Sequence, residues 1–197
     1  MPGARQLPQV QILCHPVTPE RWPDLERLFG ERGACAGCWC LWWRLPAVQW
    51  RAQRGEANRR ALEDLVRVGP PPGLLAYVDG EPVGWCALAP RAEYSRFAKS
   101  RTLQPVDDQP VWSVVCFFVA RPFRGRGVSA GLLAAAAEFA RRGGARILEG
   151  YPVDPKSRQA DAFVYTGLAS LFRRAGFVEV ARRSPTRPIV RLALRSN

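Results

Sequence analysis

Arg124, Gly125, Arg126, Gly127 and Ser129 crowd together between an apolar run, Phe117-Phe118-Val119, and an alanine-rich stretch from Gly131 to Arg142. Glycines let an anion come close to the backbone, and arginines supply the opposite charge. Where such a turn opens a helix, the first N–H groups have no intrahelical acceptor and sit at the positive end of the helix dipole. The chemistry this predicts is capture of a phosphate, most simply a pyrophosphate, by the segment from Arg124 through Gly125, Arg126, Gly127, Val128 and Ser129 to Ala130. A second pair is Glu149 and Tyr151. Two apart in an apolar stretch, they project from one face of a strand. A carboxylate placed there needs a partner or a purpose. It either pairs with one of the many arginines or does proton chemistry with the tyrosine beside it.

The elements that must position these groups follow from period and punctuation. Val10 to Val17 reads as a first strand, and Thr18-Pro19-Glu20 as a helix start with Thr18 as cap. That helix ends near Gly30 or Gly33. Pro46 to Val68 carries a second helix, closed by Pro70-Pro71-Pro72-Gly73. Leu74 to Val78 and Pro82 to Leu88 form a hairpin about Asp79-Gly80. Val111 to Val119 is the central strand, Gly127 to Arg142 the helix after the glycine turn, and Arg146 to Tyr151 the next strand. A loop from Pro152 to Ala162 leads to a closing helix, Tyr165 to Arg174, and the strands Phe177 to Arg183 and Ile189 to Leu194 complete a sheet.

Two familiar phosphate loops fit poorly. The Walker pattern requires Lys and then Ser or Thr after its second glycine, and Val128-Ser129 follow Gly127. Gly125-x-Gly127-x-x-Ala130 satisfies the dinucleotide spacing, with Glu149 in place of the ribose acid. That turn belongs on the first strand of a domain, however, and here much of the chain precedes it. Arg124-x-x-Gly127-x-Ser129 instead resembles the acyl-CoA loop of the GNAT N-acetyltransferase superfamily, Arg/Gln-x-x-Gly-x-Gly/Ala. Val119 sits at the strand-end valine, and Leu171 to Phe177 is similar to the family's closing helix with its Gly-Phe exit. The resemblance covers about residues 73 to 195, and Ser129 departs from the usual Gly or Ala.

The resemblance implies a single α/β (α+β) domain over residues 1–197: a mixed, mostly antiparallel sheet of about six to seven strands with a splayed parallel pair, flanked by about four helices. It implies acetyl-CoA as co-substrate, with the backbone of Phe117, Phe118 and Val119 pairing with the pantetheine arm. The implied reaction is direct acetyl transfer to a small-molecule or peptide amine. The family's usual acid, a Tyr on the closing helix, is Phe172 here, and the Glu base of its histone-modifying members is Ser113. Glu149 as base, with Tyr151 or Tyr165 as acid, are the candidate replacements. Cys116 is a further candidate nucleophile, but the only histidine, His15, lies far off on the first strand, and buried cysteines mostly act as small hydrophobes. In the family the first two helices and their connection form much of the acceptor pocket. Trp39, Trp42 and Trp43 would then wall a flat or cationic acceptor, or else simply fill the core.

Composition sets limits on rival functions. The formal net charge is +12, and only Lys99 and Lys156 among 29 basic residues are lysines, which invites a nucleic-acid reading. The arginines are scattered, however, with no recognition helix or basic–aromatic stripe, so nucleic acid is not the expected partner. Like charge also mildly disfavours a polycationic acceptor. A catalytically silent acyl-CoA binder remains the principal alternative to an enzyme. No run of eighteen apolar residues exists, and Met1 to Val10 is polar, so neither a membrane span nor a signal peptide is expected and those first residues should be poorly ordered. The six cysteines make a poor disulfide framework, consistent with a reducing cytoplasm. Cys35-x-x-Cys38 with Cys40 lacks a second Cys-x-x-Cys, so buried thiols rather than a metal site are expected.

Overall fold

A computed structural model of the chain describes residues 11–157 and 163–195. Its sheet has seven strands in the order β1-β2-β3-β4-β5-β7-β6. In chain order these are β1 (Leu13–Pro16), β2 (Gly73–Val78), β3 (Glu81–Pro90), β4 (Trp112–Val119), β5 (Ile147–Gly150), β6 (Val178–Arg182) and β7 (Pro188–Ala193). The helices are α1 (Trp22–Phe29), α2 (Ala47–Ala52), α3 (Glu56–Val68), α4 (Val128–Arg142) and α5 (Ala169–Arg174). Every neighbouring pair is antiparallel except β4 and β5, which run parallel. The expected mixed sheet with one parallel pair is therefore present.

Alternation along β3 explains the layers. Trp85, Ala87 and Ala89 face one core with α1, α3 and the Trp39–Trp43 segment, while Gly84, Cys86 and Leu88 face the other with α4. The β2–β3 hairpin closes at Asp79 and Gly80, both with positive φ (51° and 81°), the geometry of a type I′ turn. Helix α4 comes down onto β3 at Gly84, where a Cβ would lie 2.7 Å from a Val128 methyl. At Gly150, the end of β5, a Cβ would stand 2.2 Å from the Phe172 ring. That ring is fully buried and meets Phe117 and Phe177 edge-on. Gly150→Ala is accordingly expected to cost about 1–3 kcal/mol by overpacking, read as a lowered urea midpoint, with partial recovery when Phe172→Leu is added.

Several boundaries differ from expectation. The single helix foreseen over Pro46 to Val68 is two helices, broken before Gly55, whose φ of +87° lies outside helical space. The break is held by bonds to the Gly37 carbonyl from the Gly55 N–H and the Asn58 side chain. The closing helix starts at Ala169, not Tyr165, because Gly167 has φ +87° and Leu168 is extended. Thr18 makes no side-chain cap; a short 3-10 turn at Pro19–Arg21 leads into α1 instead. The first strand begins at Leu13, and the expectation for Met1 to Val10 falls outside the described residues.

Candidate functional site

The strand β4 ends at Val119, and a 3-10 turn at Arg121–Phe123 carries the chain to the glycines. Gly125 (φ +74°) and Gly127 (φ +85°) are both left-handed, and nothing lies within 4 Å of where a Cβ would be. Gly127 caps α4, whose first-turn N–H groups, at Val128 and Ser129, precede any i−4 acceptor. The Arg124 Nε donates to the Val119 carbonyl at 3.0 Å, so this arginine braces the strand against the turn. Arg121 and Arg126 flank the turn, both exposed, and Arg126 rests over the Phe123 ring. Open space above two left-handed glycines, amide donors at a helix start and flanking guanidinium groups together fit an anionic diphosphate.

The parallel pairing of β4 with β5 lasts only from Trp112–Leu148 to Val114–Gly150, while β4 continues to Val119. Opposite β3, the register slips between Ala87 and Leu88, so that Cys116 and Val114 are paired and Val115 is the extra residue. Beyond Val114 the ladder between β4 and β5 is interrupted, which leaves a gap in the pairing. The segment Tyr165 to Leu168 occupies that gap. The Phe117 N–H donates to the Tyr165 carbonyl at 2.6 Å, the Val153 N–H to the Gly167 carbonyl at 2.8 Å, and the Ala169 N–H to the Val153 carbonyl. Thr166 is fully buried here with its hydroxyl unpartnered. Phe172 turns its ring into Gly150, Gly167 and Phe117, so the position of the family's usual acid is filled by core packing.

Glu149 and Tyr151 do meet. The Tyr151 hydroxyl donates to Glu149 Oε1 at 2.5 Å and lies 2.8 Å from Ser113 Oγ. Arg191 Nε donates to Glu149 Oε2 at 2.6 Å, and Arg91 approaches Oε1 at 3.4 Å. Arg191 spends its other nitrogens on both Asp107 oxygens, and Arg91 on the carbonyls of Asp107 and Gln109. Glu149 and Ser113 have no exposed surface, and Tyr151 has 1%. Burial, with the Glu149 charge beside it, holds the Tyr151 phenol well above its ordinary range. Its ring stacks on Phe97 at 4.1 Å, which stacks in turn on Trp43. An acceptor therefore meets Glu149 only through other groups of this network. The long-range partners Asp107, Arg91 and Arg191 carried no local signal in the sequence, being 16 to 84 residues apart.

Arg191 holds the Asp107 carboxyl down at about 2, below its ordinary 3.8. A depressed carboxyl stabilises the fold above its unfolded value and loses that contribution as pH falls through its folded value. Stability should thus decline between about pH 4 and pH 2, and Asp107→Asn should flatten the decline in acid-melting curves.

In the core that also holds Tyr151 the tryptophans divide. Trp39 is buried against Trp22 and Phe29, and Trp43 against Phe97, whereas Trp42 is half-buried, edge-on to Trp50 and covered by the Arg96 guanidinium at 3.7 Å. Ala34, Ala36, Trp39 and Cys40 all have φ between 46° and 66°, a concentration of left-handed non-glycine residues that needs tight support. It brings Cys40 Sγ to 3.2 Å from Cys116 Sγ and to 3.1 Å from Trp85 Nε1. All six cysteines are free thiols. Among the described residues no group of three or more His, Cys, Asp or Glu side chains is gathered as a metal site. Tyr165 is half-buried against the same core, and burial pushes its phenol up to about 12.

The acetyltransferase (GNAT) family model matches residues 39–165, more than half of the sequence, and the chain belongs to that family. Among solved structures, a GNAT acetyltransferase from Listeria monocytogenes 4b F2365 is similar at 11% identity and a TM-score of 0.58, over 96% of this chain and 98% of that one. The PaiA N-acetyltransferase of Thermoplasma acidophilum, solved with coenzyme A, is similar at 12% identity and TM-score 0.52, over 93% and 99%. The Drosophila melanogaster polyamine N-acetyltransferase gives 13% identity and TM-score 0.56, over 93% and 100%. At such identities the likeness shows a shared fold. No curated protein matches the sequence. No helix of the described residues is long and apolar enough to cross a membrane.

Proposed function

We propose that the protein is an acetyl-CoA-dependent N-acetyltransferase acting on an amine. The observation that carries this reading is the β4–glycine turn–α4 unit, with open space over Gly125 and Gly127, standing beside parallel strands that part after Val114 and Gly150. The segment Arg124 to Ala130 holds the phosphates, and the β4 edge at Phe117, Phe118 and Val119 takes the pantetheine arm. Bound acetyl-CoA supplies a thioester: the amine nitrogen forms the C–N bond as the C–S bond breaks, the amine loses a proton and the thiolate gains one. Tyr165 is the proposed proton donor, since its backbone closes the end of β4 and its phenol is protonated at neutral pH. Its carbonyl holds the Phe117 N–H, a group suited to polarising the thioester carbonyl once released. Access to the gap is therefore coupled to displacement of Tyr165–Gly167. Glu149 and Tyr151 act as positioning residues, fixing the β4–β5 pair from which the gap opens. Six free thiols suit a cytoplasmic location.

Calorimetric titration with acetyl-CoA tests this reading. Saturable one-to-one binding is expected, and absence of binding would remove the function. The packed Phe172 and the occupied Phe117 N–H favour a second reading, an acyl-CoA binder without catalysis. Binding without transfer to any amine would select it.

A further inference from the structure

We propose that Cys40 and Cys116 form a redox modification site, a thiol pair that a peroxide converts to a disulfide fastening the end of β4 to the Trp39–Leu41 segment. This inference goes beyond the acetyltransferase reading and stands without it. The two sulfurs lie 3.2 Å apart, although 76 residues separate them in the chain. Among the described residues they are the only two thiols in hydrogen-bonding contact. Two backbone irregularities bring them together. The extra residue in β4 turns two consecutive side chains, Val115 and Cys116, toward the core that holds Cys40, while Val114 and Phe117 serve the core under α4. Strict alternation would have sent Cys116 to the α4 face. From the other side, Trp39 and Cys40 are left-handed, with φ of 46° and 50°. Such backbone persists only where its surroundings hold it, and here the Trp39 ring packs on Trp22 and Phe29.

The surroundings suit a disulfide. Cys40 Sγ accepts the indole N–H of the fully buried Trp85 at 3.1 Å. Oxidation removes the two thiol hydrogens and keeps that acceptor, so no buried donor loses its partner. To bond, the sulfurs close from 3.2 Å to about 2.05 Å. Cys116 is half-buried and Cys40 only 7% exposed, so the oxidant meets Cys116 first. The hydrogen bond with Cys116, and then burial, also hold the Cys40 thiol well above its ordinary range. As the thiolate, Cys116 attacks a peroxide oxygen; the O–O bond breaks, leaving a sulfenic acid and one water. The Cys40 sulfur then attacks the Cys116 sulfur, the S–O bond breaks as the S–S bond forms, and a second water leaves. The sulfurs give up two electrons, the peroxide accepts them, and both thiol protons end in water.

A cysteine map of the natural protein tests the proposal. The folded chain is treated with hydrogen peroxide, unfolded in an alkylating reagent, digested without reduction, and its peptides are weighed. Cys35, exposed, and Cys86, fully buried, bracket what accessibility alone would do. The expected product is a peptide pair joined through Cys40 and Cys116, released by dithiothreitol, with Cys86 recovered as the alkylated thiol. Because the cross-link spans 76 residues, the oxidised protein should melt about 5–15 °C above the reduced one. Cys40→Ser and Cys116→Ala should each abolish both the joined peptides and the melting shift, whereas Cys35→Ser should keep them. The map needs no variant, so a substitution that fails to fold does not remove the test. Recovery of Cys40 and Cys116 as alkylated thiols while Cys35 is oxidised would overturn the proposal. So would sulfinic acid at Cys116 without a cross-link, or Cys40 joined to Cys35 or Cys38. A Cys40–Cys116 cross-link that leaves the melting temperature unchanged would overturn the fastening of β4.

Discussion

Glu149→Ala is expected to cost about 3 kcal/mol of folding stability, the lower end of the range for breaking a buried ion pair. The carboxylate has no exposed surface and joins Tyr151, Arg191 and Arg91. Its removal does not leave everything orphaned, which is why the lower end applies. Arg191 keeps both Asp107 oxygens, Arg91 keeps two carbonyls, and Tyr151 keeps Ser113. What is lost is the counter-charge of two arginines that are themselves only 10% and 13% exposed in their side chains. Glu149→Gln keeps the shape and accepts from one neighbour, so it should lose less than the alanine variant. Urea unfolding measures both. A loss below about 1 kcal/mol, the scale of an exposed pair, would show that the network contributes little to the β4–β5 pairing.

Gly127→Trp should abolish measurable acetyl-CoA binding while the fold persists. The glycine is left-handed, which an L side chain adopts at a cost of about 1–2 kcal/mol. Because nothing lies within 4 Å of the new Cβ, the indole has no protein atoms to displace at its root. It extends instead into the space over the first turn of α4, where the diphosphate is proposed to sit. Loss of two charge-assisted bonds at about 1.5–3 kcal/mol each implies a fall in affinity of at least about 100-fold. Calorimetry of the variant, with a thermal melt as a check on folding, reads this directly. Unchanged affinity in a folded variant would place the phosphates elsewhere.

How much was legible in the sequence varied with the range of the forces involved. The strand–turn–helix unit at Val119 to Arg142 could be read because glycine φ, helix capping and apolar period are local properties. The Asp79-Gly80 hairpin was legible for the same reason. The break at Gly55 was not, since a run of good helix formers outweighed one glycine on the page, whereas in the fold that residue is tied to Gly37. The pattern of residues puts Tyr165 on a helix that the left-handed Gly167 forbids. At the site, the shared face of Glu149 and Tyr151 followed from strand period alone. Their clamp by Arg191, Arg91 and Asp107 depends on β5 pairing with β7 and on a loop folding back, which no local pattern encodes. Trp39, Trp42 and Trp43 are indistinguishable by type; only the fold separates the two that stack in the core from the one beneath Arg96.

The account's central claim is met most directly by mixing the protein with carbon-13 acetyl-CoA and a panel of primary amines, and weighing the amines. The account predicts an N-acetylated product carrying the label, formed in step with coenzyme A release and absent with Gly127→Trp. Saturating acetyl-CoA with no labelled amine above the protein-free rate would contradict it.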